Sequence, residues 1–512
     1  MKKHVLCLSL LLTVCLLSSC LSKQSTVQNK TRELTYFIPL REPIKLTSGT
    51  QNETPLSKYL NKVTGINVNY IHPNSRSTIS ALNILIASGI VPDIIEFDWK
   101  NYSGGPEKAI DDGVILALND VLPKYAPDYY KYIEENPHLV KMVTTQSDKH
   151  FSFPLIREDD SLYTYMGPFI RKDWLDKLGL TVPETIAEWE TVLTAFKNEL
   201  KVTSPFSSDL GIYDISGMFT GAFGFVPGFY IEDDKVKYGA LDDSYLEFLK
   251  LYRRWYETGL LDPDFGRRDS AYIVADMLDG KIGATVQSAG SSMGKIQELA
   301  EGAGNEEFLL VGTPYPVLNK GERPKFGHRE FPVTQTAISA TSDNIELACE
   351  FLNFGYTEEG KLAYNFGIPG ESYNIVDGKP IYTDLILNNP LYPVNLATNL
   401  YIKSSDLGPF IQMKDYVTQY YKTPELKQAV SLWLDTDAEK HMMPNIGFSA
   451  KDSITAFDSS QKLDAYAMDK FVKFVMGIDS LDDYPVFKAE IENQTKDLFE
   501  IYQQSYDKYI SR

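Results

Sequence analysis

The amino-acid sequence predicts an α/β fold, and three observations support this prediction. Strand-like runs at Leu34–Ile38, Ile66–Ile71 and Asp93–Phe97 are separated by helical stretches, an alternation typical of a parallel sheet covered by helices. The chain has 512 residues, which by length suits about three domains or two large lobes. After residue 20 the only cysteine is Cys349, so a large apolar core, and not an intramolecular disulfide, must stabilise the fold.

The clearest predicted helix follows Pro183. Its apolar residues recur at intervals of three and four, which places them on one face: Ile186, Trp189, Leu193, Phe196 and Leu200. Thr185 and Glu188 are spaced as a capping box at its start. Further helices are predicted near Tyr245–Tyr256, from Ile345 to Leu352, and around Phe487–Tyr509.

The first 20 residues are typical of an exported protein. Lys2 and Lys3 precede the apolar run Val5–Leu17, which is too short to cross a bilayer as a helix, since about 20 apolar residues are needed. The tetrad Leu-Ser-Ser-Cys that ends at Cys20 resembles the lipobox of bacterial lipoproteins, in which the cysteine carries the acyl chains. We therefore predict a signal peptide at residues 1–19, lipidation of Cys20, a flexible tether at 20–32, and a location on the extracellular face of the cell membrane.

The charge balance excludes some partners. The formal net charge is −19, and it becomes −21 if Lys2 and Lys3 leave with the signal peptide. A surface this acidic argues against nucleic-acid binding and against electrostatic attachment to anionic lipid. The 32 tyrosines can belong to the core or can line a groove for sugars, and composition alone does not distinguish these alternatives.

Several segments together resemble one family. Asp93–Trp99, the Gly104-Gly105 pair and Asp112–Asn119 are similar to the first-lobe signature of sugar-binding proteins of bacterial ABC importers, such as maltose-binding protein. Phe169–Leu180 closely resembles the family 1 extracellular solute-binding lipoproteins. The likeness extends over the rest of the mature chain through three further segments: Tyr256–Pro263, Asn365–Pro380 and Phe474–Asp482.

The resemblance implies a two-lobed clamp of the periplasmic-binding-protein type II kind, with a central cleft between its lobes. It implies an N-terminal lobe formed by residues 33–160 and 283–341 and a C-terminal lobe formed by 161–282 and 342–512. The chain is expected to cross between the lobes near Phe151–Tyr165, Gly283–Gln287 and Ser339–Asn344. In open α/β sheets ligands bind beyond the carboxyl ends of the strands, where the segment Asp98–Gly105 lies.

The resemblance and the local pattern together name candidate ligand-binding residues: Asp98, Trp99, Tyr102, Tyr163, Tyr165, Arg171, Ser288 and Tyr373. In this interpretation Trp99 stacks on a sugar ring while Asp98 accepts hydrogen bonds from hydroxyl groups; the alternative is that Trp99 caps the edge of the sheet. Tyr163 and Tyr165 can both face the cleft, or one of them can be core. Arg171 fits a cleft cation or a structural salt bridge equally well.

The sequence favours a binding protein over an enzyme. Gly290-Ser-Ser-Met-Gly294 matches a nucleophile pattern, but only His328 and His441 follow it, and neither has a supporting motif. Some family members carry a calcium loop after the helix that ends near Phe196; residues 197–205 lack its alternating oxygen ligands. We therefore predict no catalytic residues, no metal and no cofactor.

The predicted function is a lipid-anchored, monomeric substrate-binding protein that captures an oligosaccharide for the permease subunits of an ABC importer. Two other interpretations stay open at this point: a surface-anchored polysaccharide hydrolase, and a ligand sensor for a membrane receptor. Two carboxyl groups roughly 5–9.5 Å apart across the cleft would favour the hydrolase.

Overall fold

The structure is a computed structural model that describes residues 32–73, 77–215, 219–331, 335–403 and 408–512. The predicted signal peptide and the lipidation site at Cys20 lie outside the described residues, as does all of the predicted tether except Arg32. None of the helices in these ranges is both long enough and apolar enough to cross a membrane.

The described residues form strands β1 Glu33–Phe37, β2 Asn67–Ile71, β3 Ile94–Phe97, β4 Leu155–Arg157, β5 Met166–Arg171, β6 Ser204–Phe206, β7 Phe229–Glu232, β8 Lys235–Tyr238, β9 Ile282–Ser288, β10 Leu310–Gly312, β11 Gln335–Ile338, β12 Tyr373–Val376, β13 Lys379–Tyr382 and β14 Phe410–Gln412.

The helices are α1 Glu42–Thr47, α2 Pro55–Thr64, α3 Thr78–Ser88, α4 Gly105–Asp111, α5 Leu122–Tyr125, α6 Pro127–Glu135, α7 Pro137–Val143, α8 Lys172–Leu178, α9 Ile186–Glu199, α10 Tyr245–Glu257, α11 Ser270–Leu278, α12 Lys295–Gly302, α13 Ile345–Asn353, α14 Glu358–Phe366, α15 Asp384–Leu387, α16 Val394–Tyr401, α17 Lys414–Tyr420, α18 Pro424–Leu434, α19 Ala438–His441, α20 Ala450–Met476 and α21 Tyr484–Ser511.

The first of two four-stranded sheets has the order β11-β3-β1-β2. Strand β1 pairs in parallel with β2 and β3, while β11 runs antiparallel to β3. All four residues of β3 are buried, because this central strand is covered on both faces. Three of them are apolar, and the fourth, Glu96, is paired with Lys403 at 3.0 Å. The three predicted strands and their parallel pairing are confirmed.

The second four-stranded sheet has the order β10-β5-β9-β6, and α9 and α10 pack beside it. Helix α9 begins with the predicted capping box, in which Thr185 and Glu188 each bond the other's backbone N–H. Its apolar face joins Trp189 and Phe196 to Phe206 and Trp255 in one buried cluster. The α/β class predicted from the sequence is therefore observed in both sheets.

Strand pairing disagrees with parts of the predicted lobe boundaries. Residues 283–287, predicted to be a crossing, lie inside β9, which pairs with β5 and β6 in the second sheet. Helix α13 packs with its Ala348 and Cys349 in the core of the first sheet, and not with the second. The crossing near residues 283–287 was expected from the family resemblance, whereas β9 is buried along almost its whole length.

The chain passes from one sheet to the other twice near the candidate site. Phe153 bridges to Thr336 beside the first sheet, and the second sheet begins at Met166. The chain returns between the end of β10 at Gly312 and the start of β11 at Gln335. These two connecting segments, residues 154–165 and 313–334, carry several of the cavity-lining residues described below.

Candidate functional site

The larger cavity next to the connecting segments, here called the main cavity, has a volume of about 540 Å³. It receives residues from the loop after β3, from the segment before β11, and from helices α20 and α21. Five partly exposed aromatic residues line it: Phe229, Phe331, Phe448, Phe457 and Tyr502. Its polar lining includes Lys100, Asn101, Arg329, Glu330, Gln461 and Asp464.

Contacts between rings fix the orientation of most of these aromatic side chains. The rings of Phe229 and Tyr502 stack at 4.0 Å, and Phe448 meets Tyr502 edge-on at 5.0 Å. Phe331 packs against Tyr163 at 5.6 Å. Because the rings are already packed, a flat apolar ligand face can lie on them with little loss of side-chain entropy.

A second cavity, here called the Tyr420 cavity, has a volume of about 230 Å³ and a lining rich in polar and tyrosine side chains. Its lining residues are Arg41, Pro43, Arg157, Ser161, Leu162, Thr164, Tyr165, Ser288, Gly290, Ser291, Asn395, Asn399, Gln412, Tyr416, Val417, Tyr420 and Tyr421. Gly290 is required for its shape. A Cβ at this position would lie 2.0 Å from Cε1 of Tyr420, so any larger residue would displace that ring.

A polar wall lies between the two cavities. Glu330 of the main cavity accepts a hydrogen bond from the hydroxyl of Tyr165 in the Tyr420 cavity. Arg157 donates from Nη1 to the backbone carbonyl of Glu330 at 2.5 Å, and its Nη2 lies 3.6 Å from Oε2 of the same residue. The Tyr163 ring contacts both Arg157 and Arg329, with guanidinium-to-centroid distances of 5.2 and 4.8 Å.

Four of the predicted ligand residues lie in or beside these cavities. Tyr165 and Ser288 line the Tyr420 cavity, and Tyr163 belongs to the wall. Asp98 lines neither cavity; its carboxylate accepts from the backbone N–H of Lys100 at 3.1 Å and from Nδ2 of Asn101 at 3.0 Å. Asp98 therefore positions the loop that carries two main-cavity residues. Direct contact of these residues with a ligand stays a prediction.

Trp99, the predicted stacking platform, is a core residue. Its side chain is 1% exposed, its indole Nε1 donates to the backbone carbonyl of Gln335 at 3.1 Å, and its ring meets Phe97 edge-on at 5.4 Å. It reaches neither large cavity and borders only a small side pocket described below. The indole tethers β3 to β11, as expected for the alternative interpretation, a structural tryptophan at the sheet edge.

Three further candidates lie outside both large cavities. Tyr102 donates its hydroxyl to Asp112 at 2.9 Å. Arg171 makes two hydrogen bonds to Asp173, at 2.8 and 2.5 Å, and lies over the rings of two neighbouring aromatic residues. Tyr373 is 5% exposed and belongs to an apolar cluster with Phe366. Each has a structural partner that accounts for it.

The aromatic residues of the main cavity were not among the predicted ligand residues. They come from segments 273 residues apart in sequence, from Phe229 to Tyr502, among 26 phenylalanines and 32 tyrosines. One signal was available on α20, where Phe457, Gln461 and Asp464 recur at spacings of four and three. A helix face that mixes a phenylalanine with hydrogen-bonding side chains is better suited to a ligand than to a core.

The nucleophile-like pattern has no catalytic surroundings. Ser292 donates to Oε1 of Gln287 at 3.4 Å and accepts from Ser288 at 3.2 Å. His328 lies beside Tyr165, and burial lowers the pKa of His328 to about 3. The ring of His441 is hydrogen-bonded through Nδ1 to the backbone carbonyl of Ile231 at 3.1 Å. Within the described ranges, no group of three or more His, Cys, Asp or Glu side chains is arranged to hold a metal ion.

Comparisons with known proteins identify relatives of this chain. Lipoprotein LipO of Bacillus subtilis is 26% identical over 431 residues, which covers 79% of this chain and 82% of LipO. The fructooligosaccharide ABC transporter substrate-binding protein FusA of Streptococcus pneumoniae is 26% identical over 392 residues, or 70% of each chain.

Solved structures share the fold. The alginate-binding protein AlgQ2 superposes with a TM-score of 0.76 at 21% identity, covering 93% of this chain and 98% of AlgQ2. FusA in complex with kestose gives 0.74 at 22% identity, with coverage of 94% and 99%. The fold is thus the two-lobed α/β fold of solute-binding proteins.

The profile of one family matches residues 46–362, which is more than half of the chain and includes both four-stranded sheets apart from β1. The proteins of this family bind solutes and are not enzymes, in agreement with the surroundings of Ser292. The chain belongs to the bacterial extracellular solute-binding protein family.

Proposed function

We propose that this protein binds an oligosaccharide in the main cavity and the adjoining Tyr420 cavity, for uptake by an ABC importer. The observation that carries the proposal is the set of five partly exposed rings in the main cavity. The relative FusA, which by its name binds fructooligosaccharides for an ABC transporter, supports the same class of ligand and the same partner.

The lining chemistry suits a carbohydrate. Aromatic faces contact the apolar CH surface of a sugar ring, while amides, carboxylates and cations exchange hydrogen bonds with its hydroxyl groups. The main cavity offers Asn101 and Gln461 beside its rings, and the Tyr420 cavity adds Asn395 and Asn399. Because both connecting segments contribute to these cavities, a bound sugar would favour a closed arrangement of the two lobes over an open one.

A binding screen tests the proposal. Purified mature protein is heated with a panel of neutral and uronate oligosaccharides of two to six sugars, and the melting temperature is followed. Ligand at about 100 times its Kd stabilises the folded state by about 2.7 kcal/mol, so at least one oligosaccharide should raise the melting temperature clearly. Monosaccharides serve as controls and should have a smaller effect. Stabilisation by peptides or nucleosides but by no oligosaccharide would contradict the proposal.

We further propose that the protein is held at the membrane by acyl chains on Cys20. The support is the short apolar run that ends at this cysteine and the name of the relative LipO, a lipoprotein. Replacement Cys20→Ala should release the protein into the medium or leave its precursor uncleaved, because the acyl chains are the expected anchor. Cell fractionation and mass spectrometry of the N-terminus measure this; Cys349→Ala is the matched control and should stay membrane-bound.

A further inference from the structure

A side pocket lies beside the main cavity and is bordered by Trp99 and by Gln335 of β11. Its volume is about 40 Å³, against about 540 Å³ for the main cavity. Both cavities are lined by Lys100, Asn445, Ile446, Phe448 and Ser453, so the pocket adjoins the main cavity. It has room for one small substituent of a ligand and not for a sugar ring.

The lining of the side pocket is cationic, although the protein as a whole is strongly acidic. Lys100 and Lys141 both border it, and its lining residues include neither aspartate nor glutamate. The Lys141 ammonium donates to the backbone carbonyl of Tyr509 at 2.9 Å and lies 5.1 Å from that tyrosine's ring, so Lys141 adds positive charge while its position is already fixed.

Lys100 is the cation of the side pocket that remains available to pair with an anionic group of a ligand. No carboxylate of the described residues lies within 4.0 Å of its Nζ, in contrast to Arg329 of the same cavity, which is paired bidentately with Asp160 at 2.6 and 3.1 Å. Burial lowers the pKa of Lys100, and the charge of nearby Asp98 opposes that effect. The Asp98 carboxylate itself is held by the backbone N–H of Lys100 and by Asn101.

A second group in the pocket also lacks a partner. Oδ1 of Asn445 is buried and accepts no hydrogen bond from any described residue. Since an amide can present either its oxygen or its NH₂ to a ligand after rotation, Asn445 can donate to an anionic oxygen beside Lys100. The two carboxylates that line the main cavity accept hydrogen bonds from tyrosine hydroxyls, Glu330 from Tyr165 and Asp464 from Tyr238.

We propose that the side pocket receives an acidic substituent of the bound oligosaccharide, namely a uronate carboxylate, with Lys100 as its counter-ion and Asn445 as a second donor. This inference rests on the proposed function, because it names the class of oligosaccharide. A cation that loses hydration on burial gains most from a ligand that carries the opposite charge, and a charge-assisted hydrogen bond is stronger than a neutral one.

Titration calorimetry with paired ligands tests the inference. Each probe is a uronate tetrasaccharide, from galacturonate, mannuronate, guluronate and glucuronate series, compared with its carboxyl-reduced, neutral form. At least one uronate should bind about tenfold or more tightly than its neutral counterpart. Lys100→Met should remove most of that difference, because it should weaken the binding of the uronate form far more than that of the neutral form. Lys320→Met, which removes an exposed lysine outside the cavities, should preserve it.

The outcomes separate this inference from the proposed function. If neutral oligosaccharides bind as tightly as the uronates, or if Lys100→Met leaves the preference for the uronate intact, the side-pocket inference is wrong and the oligosaccharide proposal stands. If the wild-type protein binds no oligosaccharide of either kind, the proposed function fails as well. Circular dichroism of each variant establishes that it is folded before titration.

Discussion

Replacement Trp99→Ala is expected to destabilise the protein strongly while changing the affinity for a neutral oligosaccharide, which does not need the side pocket, much less. Removal of a buried tryptophan costs about 3–5 kcal/mol in the free energy of unfolding, and Trp99 is 1% exposed. The substitution also deprives the backbone carbonyl of Gln335 of the indole N–H that it accepts at 3.1 Å, in the strand next to β3. Denaturant titration gives the loss of stability, and calorimetry at low temperature gives the affinity.

Trp99→Phe provides a graded control. It keeps an aromatic ring against Phe97 and removes the indole N–H, so a loss of about 1–3 kcal/mol is expected from the unsatisfied carbonyl. Tyr272→Ala, at an exposed position on α11 (59% exposed), should leave stability nearly unchanged. An unaltered free energy of unfolding together with a large loss of affinity would restore Trp99 as a ligand platform.

The contrast between the predicted and observed roles of Trp99 shows what local sequence patterns can establish. The run Asp93–Phe97 predicts a strand because it is short and contains Ile94, Ile95 and Phe97, and the structure has β3 there. The direction of the next side chain depends on β11, which is more than 230 residues away in sequence. No local pattern contains that partner, so the sequence did not exclude either role for a tryptophan after a strand, contact with a ligand or packing at the sheet edge.

Local sequence patterns also do not determine the partners of the charged and aromatic residues that were candidates for ligand binding. Arg171 fitted a cleft cation or a structural salt bridge, and in the fold it is paired with Asp173 and lies over the ring of Phe308. The main cavity, by contrast, is assembled from Phe229, Phe331 and Tyr502, which lie on separate elements. Helix periodicity predicted α9 and α21 because it is local, whereas a cavity formed by distant segments depends on tertiary packing.

The domain boundaries failed for a related reason. The resemblance implied a crossing near Gly283–Gln287, yet Gly283 lies within β9, where a Cβ would come within 2.4 Å of the Phe196 ring. The glycine is needed for close packing of α9 on the sheet, and not for a bend. A glycine in a strand can serve either purpose, and the sequence alone does not distinguish them.

Phe457→Ala is expected to weaken oligosaccharide binding with little effect on stability. Phe457 lines the main cavity from α20 and is partly exposed, and no described aromatic ring packs on it, unlike the stacked pair of Phe229 and Tyr502. Loss of a ring on which a sugar lies should cost about 2 kcal/mol, or about thirtyfold in affinity. Phe457→Tyr keeps the ring and should recover most of this binding.

Calorimetry with the oligosaccharide found in the screen measures the effect of Phe457→Ala, and denaturant titration measures its stability. The matched control is Tyr272→Ala, which removes an exposed ring outside both large cavities. The ring of Phe457 has less buried area to lose than that of Trp99. Trp99→Ala should therefore mainly lower the free energy of unfolding, whereas Phe457→Ala should mainly lower the affinity for the oligosaccharide. Equal affinities of Phe457→Ala and the wild type would place the sugar away from α20 and leave the Tyr420 cavity as its binding site.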